Sequence, residues 1–226
     1  MPVVLYLCRV QTKLIILDFD GTLCDTREII IRTNQELMRQ KGFPVLSEKA
    51  IMDTVGLPLE ECLLVMYPDF PREQLPVWIK DYRIIFENLK KSVDSPLFPG
   101  VRETMAILHK SGCMLSVASS RSSDSLRGYL KEKQISQYIN YVLGAEDVTL
   151  AKPNPEPVLK TLRDLDINAS DALVVGDMPV DILMGLRAGV RTCGVAYGNS
   201  SREALLAAGA DFVIDEFCEL TSQITI

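Results

Sequence analysis

The 226-residue sequence holds one histidine, one tryptophan and no two cysteines spaced as a metal-ligand or redox pair. Its six cysteines are Cys8, Cys24, Cys62, Cys113, Cys193 and Cys218, and most fall in apolar stretches. There a cysteine behaves as a small buried hydrophobe, so they read as free thiols of a reducing compartment. The lone His109 lies in His109-Lys110-Ser111-Gly112, near a helix end, and reads as a complement to the helix dipole rather than as a catalyst. No apolar run approaches the roughly 20 residues that a bilayer span needs. Residues 1–10 are apolar, but no basic region precedes them and no small-residue cleavage site follows. Export is therefore not expected, and the expected location is cytoplasmic. A basic excess is also missing: 24 Lys and Arg stand against 30 Asp and Glu, a formal net charge of -6. That argues against a nucleic-acid partner, which clustered cations would bind, but leaves room for a small anion held by a few local cations. Internal repeats and low-complexity tracts are absent.

With 47% hydrophobic and 24% charged residues, the chain has the size and composition for one domain, or for one domain carrying a smaller insertion. Short apolar runs at 14–17, 114–118, 172–175, 192–196 and 212–214, with a weaker one at 138–143, read as buried strands. Helical patterns at 101–110, 155–165 and 182–188 lie between them, the last stopped by Gly189. Alternation of this kind predicts an α/β fold: a Rossmann-like parallel sheet with helices on both faces. One segment breaks the rhythm. From 26 to 97 the patterns are helical, at 27–41, 59–66 and 74–90, with prolines between them. The expected division is an α/β core of 1–25 and 98–226, interrupted after its first strand by a small helical domain of 26–97.

The first strand ends in Leu17-Asp18-Phe19-Asp20-Gly21-Thr22-Leu23. In extended chain, Asp18 and Asp20 point the same way, and two such carboxylates repel unless a cation lies between them. Gly21 permits a tight turn. An Asp-Gly turn or cap is the competing reading. A second strand end carries Gly176-Asp177-Met178-Pro179-Val180-Asp181, which would set Asp177 and Asp181 on one helical face; a helix cap with a first-turn acid explains either residue but not the recurrence. Carboxylates at two strand ends, with no His or Cys, suit a magnesium site. A third strand runs into Ser119-Ser120-Arg121, where a hydroxyl and backbone N–H groups could hold phosphate oxygens, or simply cap a helix. Lys152, in Ala151-Lys152-Pro153-Asn154-Pro155, could neutralise both Asp18 and a bound phosphate, or lie in solvent.

The order of these motifs over residues 13–214 resembles the haloacid dehalogenase-like hydrolase superfamily, with the helical insertion where that family places a small cap. Thr54-Val55-Gly56-Leu57-Pro58-Leu59 and Asp81-Tyr82-Arg83 are similar to cap stretches of its phosphoglycolate phosphatase-like branch. The resemblance implies Asp18 as nucleophile, forming an aspartyl-phosphate, and Asp20 as general acid and then base. It implies Mg2+ held by the Asp18 carboxylate, the Asp20 backbone carbonyl and Asp177, with Asp181 behind them or acting through water. Ser119, Lys152 and backbone N–H groups near Gly21 and Ser120 would bind the phosphoryl oxygens. Thr54, Gly56, Tyr82 and Arg83 become candidate cap contacts to a small phosphorylated metabolite, phosphoglycolate first. Many relatives carry Thr-Asn-Lys where this chain has Ser119-Ser120-Arg121; the hydroxyl is kept, while the Asn contact to the leaving group is lost. Asp20 argues against dehalogenase chemistry, because a halide needs no proton. A pyrophosphatase, a sugar phosphomutase and, least of all, a catalytically silent binding protein stay open; no basic cluster in 51–61 offers a grip on a mutase's second phosphate.

Overall fold

The computed structural model describes residues 11–225, so the apolar segment 1–10 weighed as an export signal, with Cys8, lies outside the described residues. The core opens with β1 (Leu14–Leu17), all of it buried. Four helices follow, α1 (Arg27–Lys41), α2 (Glu48–Met52), α3 (Leu59–Met66) and α4 (Leu75–Leu89). The chain returns through α5 (Val101–Lys110) to β2 (Met114–Ala118), α6 (Ser123–Glu132) and β3 (Tyr141–Leu143). It ends with α7 (Glu156–Leu165), β4 (Ala172–Gly176), α8 (Pro179–Arg187), β5 (Arg191–Val195), α9 (Arg202–Ala207), β6 (Phe212–Ile214) and α10 (Leu220–Gln223).

The strands form one parallel sheet in the order β3-β2-β1-β4-β5-β6. Strand alternation splits the core between two faces. Ile15 and Leu17 of β1, with Leu173 and Val175 of β4, join a cluster that includes Met105, Leu115, Val117 and Tyr129. Their neighbours Leu14, Ile16, Ala172 and Val174 join a second cluster with Val158, Leu162 and Met184. Such continuous apolar strands need helices on both sides, and each fully buried aliphatic side chain contributes about 1.5–3 kcal/mol.

The helical insertion has a core of its own. Leu37, Leu63, Phe70, Leu75, Trp78 and Ile85 pack together, with Phe43 set edge-on to Trp78 at 4.8 Å and to Tyr67 at 5.2 Å. Helix α1 lies along α4, and Pro76 sits in the first turn of α4, where its missing N–H costs nothing. The two connections between insertion and core run side by side: the amide of Asp25 donates to the Pro96 carbonyl at 2.8 Å and the Cys24 thiol to the Ser95 carbonyl at 3.0 Å.

Two expectations need correction. The strand foreseen at 138–143 is only Tyr141–Leu143. Ser136–Tyr138 instead forms a 3-10 turn, because pairing to β2 begins at Ser116 opposite Tyr141. Helices α2, α6, α9 and α10 were not foreseen; α2, α9 and α10 span only four to six residues, while α6 begins just beyond Ser119-Ser120-Arg121, where a helix cap was the competing reading. Among the described residues no helix is long and apolar enough to cross a membrane, and the five described cysteines are free thiols.

Candidate active site

The chain crosses from one half of the sheet to the other between β1 and β4. At such a switch point the loops beyond the strand ends diverge and leave a crevice. Asp18 leaves β1 with its amide still donating to the Val175 carbonyl at 2.9 Å, and Asp177 directly follows β4. Asp181, in the first turn of α8, accepts the Met178 amide at 3.1 Å and so caps its own helix. One carboxylate oxygen from each of Asp18, Asp177 and Asp181 lies within 4.8 Å of the others. Lys152, almost wholly buried, donates to Asp18 Oδ1 at 2.5 Å and Asp181 Oδ1 at 2.7 Å; the peptide bond that follows it, to Pro153, is cis.

Two of the three buried carboxylates, Asp18 and Asp181, thus share one ammonium, and Asp177 lies beside them without it. Burial, and then the Asp181 and Asp20 charges, push the Asp18 carboxyl up to about 7 against the pull of Lys152. Burial and the two neighbouring acids likewise hold Asp177 well above the usual carboxylate range. Burial works against the Lys152 charge, but Asp18 and Asp181 outweigh it and raise its pKa. An all-oxygen cluster carrying more negative charge than its lysine offsets fits a hard divalent cation. Asp177 is aimed by the Thr22 hydroxyl at 3.0 Å and by the Asn199 amide at 2.8 Å.

Asp20 turns to a different partner. Arg121 Nε donates to its Oδ2 at 3.2 Å and Arg121 Nη2 to its Oδ1 at 2.5 Å, and the Thr26 hydroxyl adds a bond to Oδ1 at 2.6 Å. Thr26, at the N-cap of α1, makes no side-chain bond to its own helix. The Arg121 guanidinium lies near the rings of Tyr129 at 4.7 Å, Phe86 at 4.9 Å and Phe19 at 5.7 Å. Although burial opposes its charge, Asp20 raises the arginine's pKa above the ordinary value. The Ser119 hydroxyl accepts the Arg121 amide at 3.2 Å, beside the end of β2.

A model of the haloacid dehalogenase-like hydrolases matches residues 15–195. The chain belongs to the haloacid dehalogenase-like hydrolase family. Probable phosphatase IndB of Dickeya dadantii is 32% identical, over 92% of this chain and 91% of that protein. Pyrophosphatase PpaX of Anoxybacillus flavithermus is 28% identical, over 92% and 94%. A phosphoglycolate phosphatase of Vibrio vulnificus is 28% identical, over 96% and 97%. A solved hydrolase from Pseudomonas syringae shares the fold, with TM-score 0.85 and 24% identity over 96% of this chain and 100% of that one.

Around this family core, the remaining candidate residues separate. The N–H of Gly21, foreseen among the phosphate donors, is spent on the Cys24 carbonyl at 2.9 Å. The glycine serves close approach instead: its φ is +87°, and a Cβ there would stand 2.2 Å from Asp177 Oδ2. Ser120 directs its hydroxyl to the Gly56 carbonyl at 2.6 Å, joining the insertion to the core beside Val180. Thr54 is buried and donates to the Ile51 carbonyl at 2.7 Å, so its hydroxyl closes a turn of the insertion. Tyr82 stacks on Phe86 at 6.1 Å and packs against the core cluster. Arg83 is exposed and faces Glu146 at 3.6 Å. Sequence reasoning missed the parts played by Arg121, Thr26, Thr22 and Asn199. Only Arg121 carried a signal, as a cation two residues beyond a strand-end serine.

Proposed function

We propose that this family member is a magnesium-dependent phosphatase that hydrolyses a small phosphate monoester through an aspartyl-phosphate on Asp18. The observation that carries the reading is the buried trio Asp18, Asp177 and Asp181, held with Lys152 at the sheet's switch point, with Asp20 two residues along. Residues 1–25 and 98–226 act as the catalytic core and 26–97 as a cap over it.

In this reading an Asp18 carboxylate oxygen attacks phosphorus and the bond to the leaving oxygen breaks. Asp20 gives that oxygen its proton. Water then attacks the aspartyl-phosphate, Asp20 takes the water's proton, and inorganic phosphate leaves with Asp18 regenerated. Lys152 and the Ser119 hydroxyl hold the phosphoryl oxygens, helped by backbone N–H groups near Ser120. The Asp18 and Asp177 carboxylates and the Asp20 carbonyl would hold Mg2+, with Asp181 steadying Lys152 and the site behind it. The ion supplies positive charge that offsets repulsion between an anionic nucleophile and an anionic ester. The cap excludes water and carries part of the specificity, with Gly56 bonded to Ser120 of the core.

Phosphoglycolate is the leading substrate, in keeping with the Vibrio relative similar along nearly its whole length. Pyrophosphate is the second reading, which the PpaX relative favours. The test is phosphate release with Mg2+ from both compounds by wild type and Asp18→Asn. The variant is expected to lose about 10⁴-fold or more in kcat, as removal of a covalent nucleophile does. Undiminished release by Asp18→Asn would overturn the mechanism.

A further inference from the structure

The contacts of Arg121 carry an inference about which leaving groups the site accepts, and it rests on the phosphatase reading above. Both oxygens of Asp20 are occupied: Oδ1 by Arg121 Nη2 and the Thr26 hydroxyl, Oδ2 by Arg121 Nε. To give a proton to a leaving oxygen, Asp20 must free one oxygen from this fork. Doing so leaves the guanidinium with one bond instead of two to its only salt-bridge partner among the described residues. The third nitrogen, Nη1, has only the neutral Ser125 hydroxyl, at 3.2 Å. Phe19, Tyr129 and Phe86 surround the group with rings, and the Arg121 side chain is 9% exposed. A buried charged donor left without its acceptor is costly, and the aromatic faces replace only part of what is lost.

We propose that Arg121 is a specificity-determining residue that receives an anionic group carried on the substrate's leaving group, taking it in exchange for Asp20. Position supports the assignment. Arg121 lies two residues beyond Ser119, and its amide donates to the Ser119 hydroxyl, so its side chain starts at the phosphoryl pocket. Through the ring of Phe86 in α4 it also touches the helical insertion. Planar guanidinium forks pair bidentately with carboxylate and with phosphate. The substrate class is thus a phosphoryl ester or anhydride whose departing part bears its own negative charge one or two atoms from the bridging oxygen. A neutral alcohol of the same size leaves Arg121 and Asp20 locked together and is handled poorly.

The test compares phosphoglycolate with 2-hydroxyethyl phosphate, which replaces the carboxylate by a neutral hydroxymethyl group at similar length. Wild type is expected to prefer phosphoglycolate by about 10²-fold or more in kcat/KM, the scale on which sites built for a polar group reject analogues lacking it. Arg121→Met lowers turnover of both but collapses the ratio to within about threefold, the loss of preference falling mainly on KM for phosphoglycolate; Arg121→Lys, which keeps the charge and not the fork, gives an intermediate ratio. A wild-type ratio near one overturns the proposal without any variant, and so does an Arg121→Met enzyme that slows on both esters while keeping the ratio, because that is what a purely structural arginine does. Should Arg121→Met fail to fold, the wild-type ratio and Arg121→Lys still decide. Phosphate release from neither ester, nor from pyrophosphate, by wild type with Mg2+ would instead sink the phosphatase reading itself, a result distinguishable from hydrolysis that ignores leaving-group charge.

Discussion

The sheet's switch point and the interior of the helical cap are both buried and tightly packed, yet they are built from opposite materials. Around β1 and β4, Asp18, Asp177, Asp181 and Lys152 crowd together with more negative charge than positive. Inside the cap, Phe43 and Phe70 each meet Trp78 edge to face among leucines and isoleucine. The cap interior holds itself together by area and shape. The charged cluster is held in place by strand ends, the first turn of α8 and Lys152, and its oxygens suit a hard cation. On the proposed reading, stability is concentrated away from the chemistry, and the site is a place where the fold gives up stability for function.

The largest test of this contrast strikes the cap. Trp78 is 2% exposed at the centre of the aromatic cluster, and Trp78→Ala should cost about 3–5 kcal/mol. If the cap is stabilised by its own cluster, urea unfolding of the variant should separate into an early cap transition and a later core transition. A single transition displaced as a whole would show that the two clusters share one cooperative unit. Next in size is Lys152→Met. Losing the cation bonded to Asp18 and Asp181 should lower kcat/KM by about 10²–10³-fold, the cost of removing one group that stabilises transition-state charge. A loss of less than tenfold would remove Lys152 from the phosphoryl site.

The third prediction concerns the cation itself. With Mg2+ at about 100 times its Kd, thermal unfolding should show about 2.7 kcal/mol of added stability, and Asp177→Asn should abolish most of it while leaving the cap cluster intact. In chelator, the sign of the pH effect follows from the raised carboxyls. Asp18, pushed to about 7 from 3.8, contributes stability that is fully present below about 4 and lost as pH rises through 7. Metal-free Tm should therefore fall between pH 5 and 8, with a smaller slope in Asp18→Asn. A flat metal-free profile would mean that the three acids do not strain the fold.

The same contrast explains what could be read from the sequence. The sheet was legible because β1 and β4 are short, apolar on both faces and end in acids, and the acids mark the strand ends more sharply than any propensity. Asp18, Asp177, Asp181 and Lys152 were legible as types at spacings, and the fold brings them together as the switch point requires. Arg121 was not, because its meaning depends on a bond to Asp20, 101 residues away in the chain, and on rings from α4 and α6. Thr22 and Asn199 act through single hydrogen bonds to Asp177 that no periodicity announces. Gly21 was legible as a turn, but that its N–H is spent within the turn follows only from where the Cys24 carbonyl lies. The cap's Thr54 shows the reverse error: a hydroxyl in a motif-like stretch looks available until the Ile51 carbonyl is found beside it.

The smallest expected effect lies where the two regions touch. The Ser120 hydroxyl donates to the Gly56 carbonyl at 2.6 Å, a bond between the end of β2 on the core side and the cap loop ahead of α3. Gly56 has φ +99°, which strains any other residue, and a Cβ there would stand 3.0 Å from Val180 Cγ2, so glycine suits this close approach to the core. Ser120→Ala removes the hydroxyl and leaves the glycine and the packing in place. A net hydrogen bond of this kind is worth about 0.5–1.5 kcal/mol. If it favours the closed cap, its loss makes closure over substrate less favourable by that amount, which corresponds to a rise of about two- to tenfold in KM. The chemical step proposed for Asp18 and Asp20 should change less than KM. An equal fall in kcat with no rise in KM would instead place the Ser120 hydroxyl on the reacting phosphoryl group, and the line between a charged site and an apolar cap would have to be drawn one residue further out.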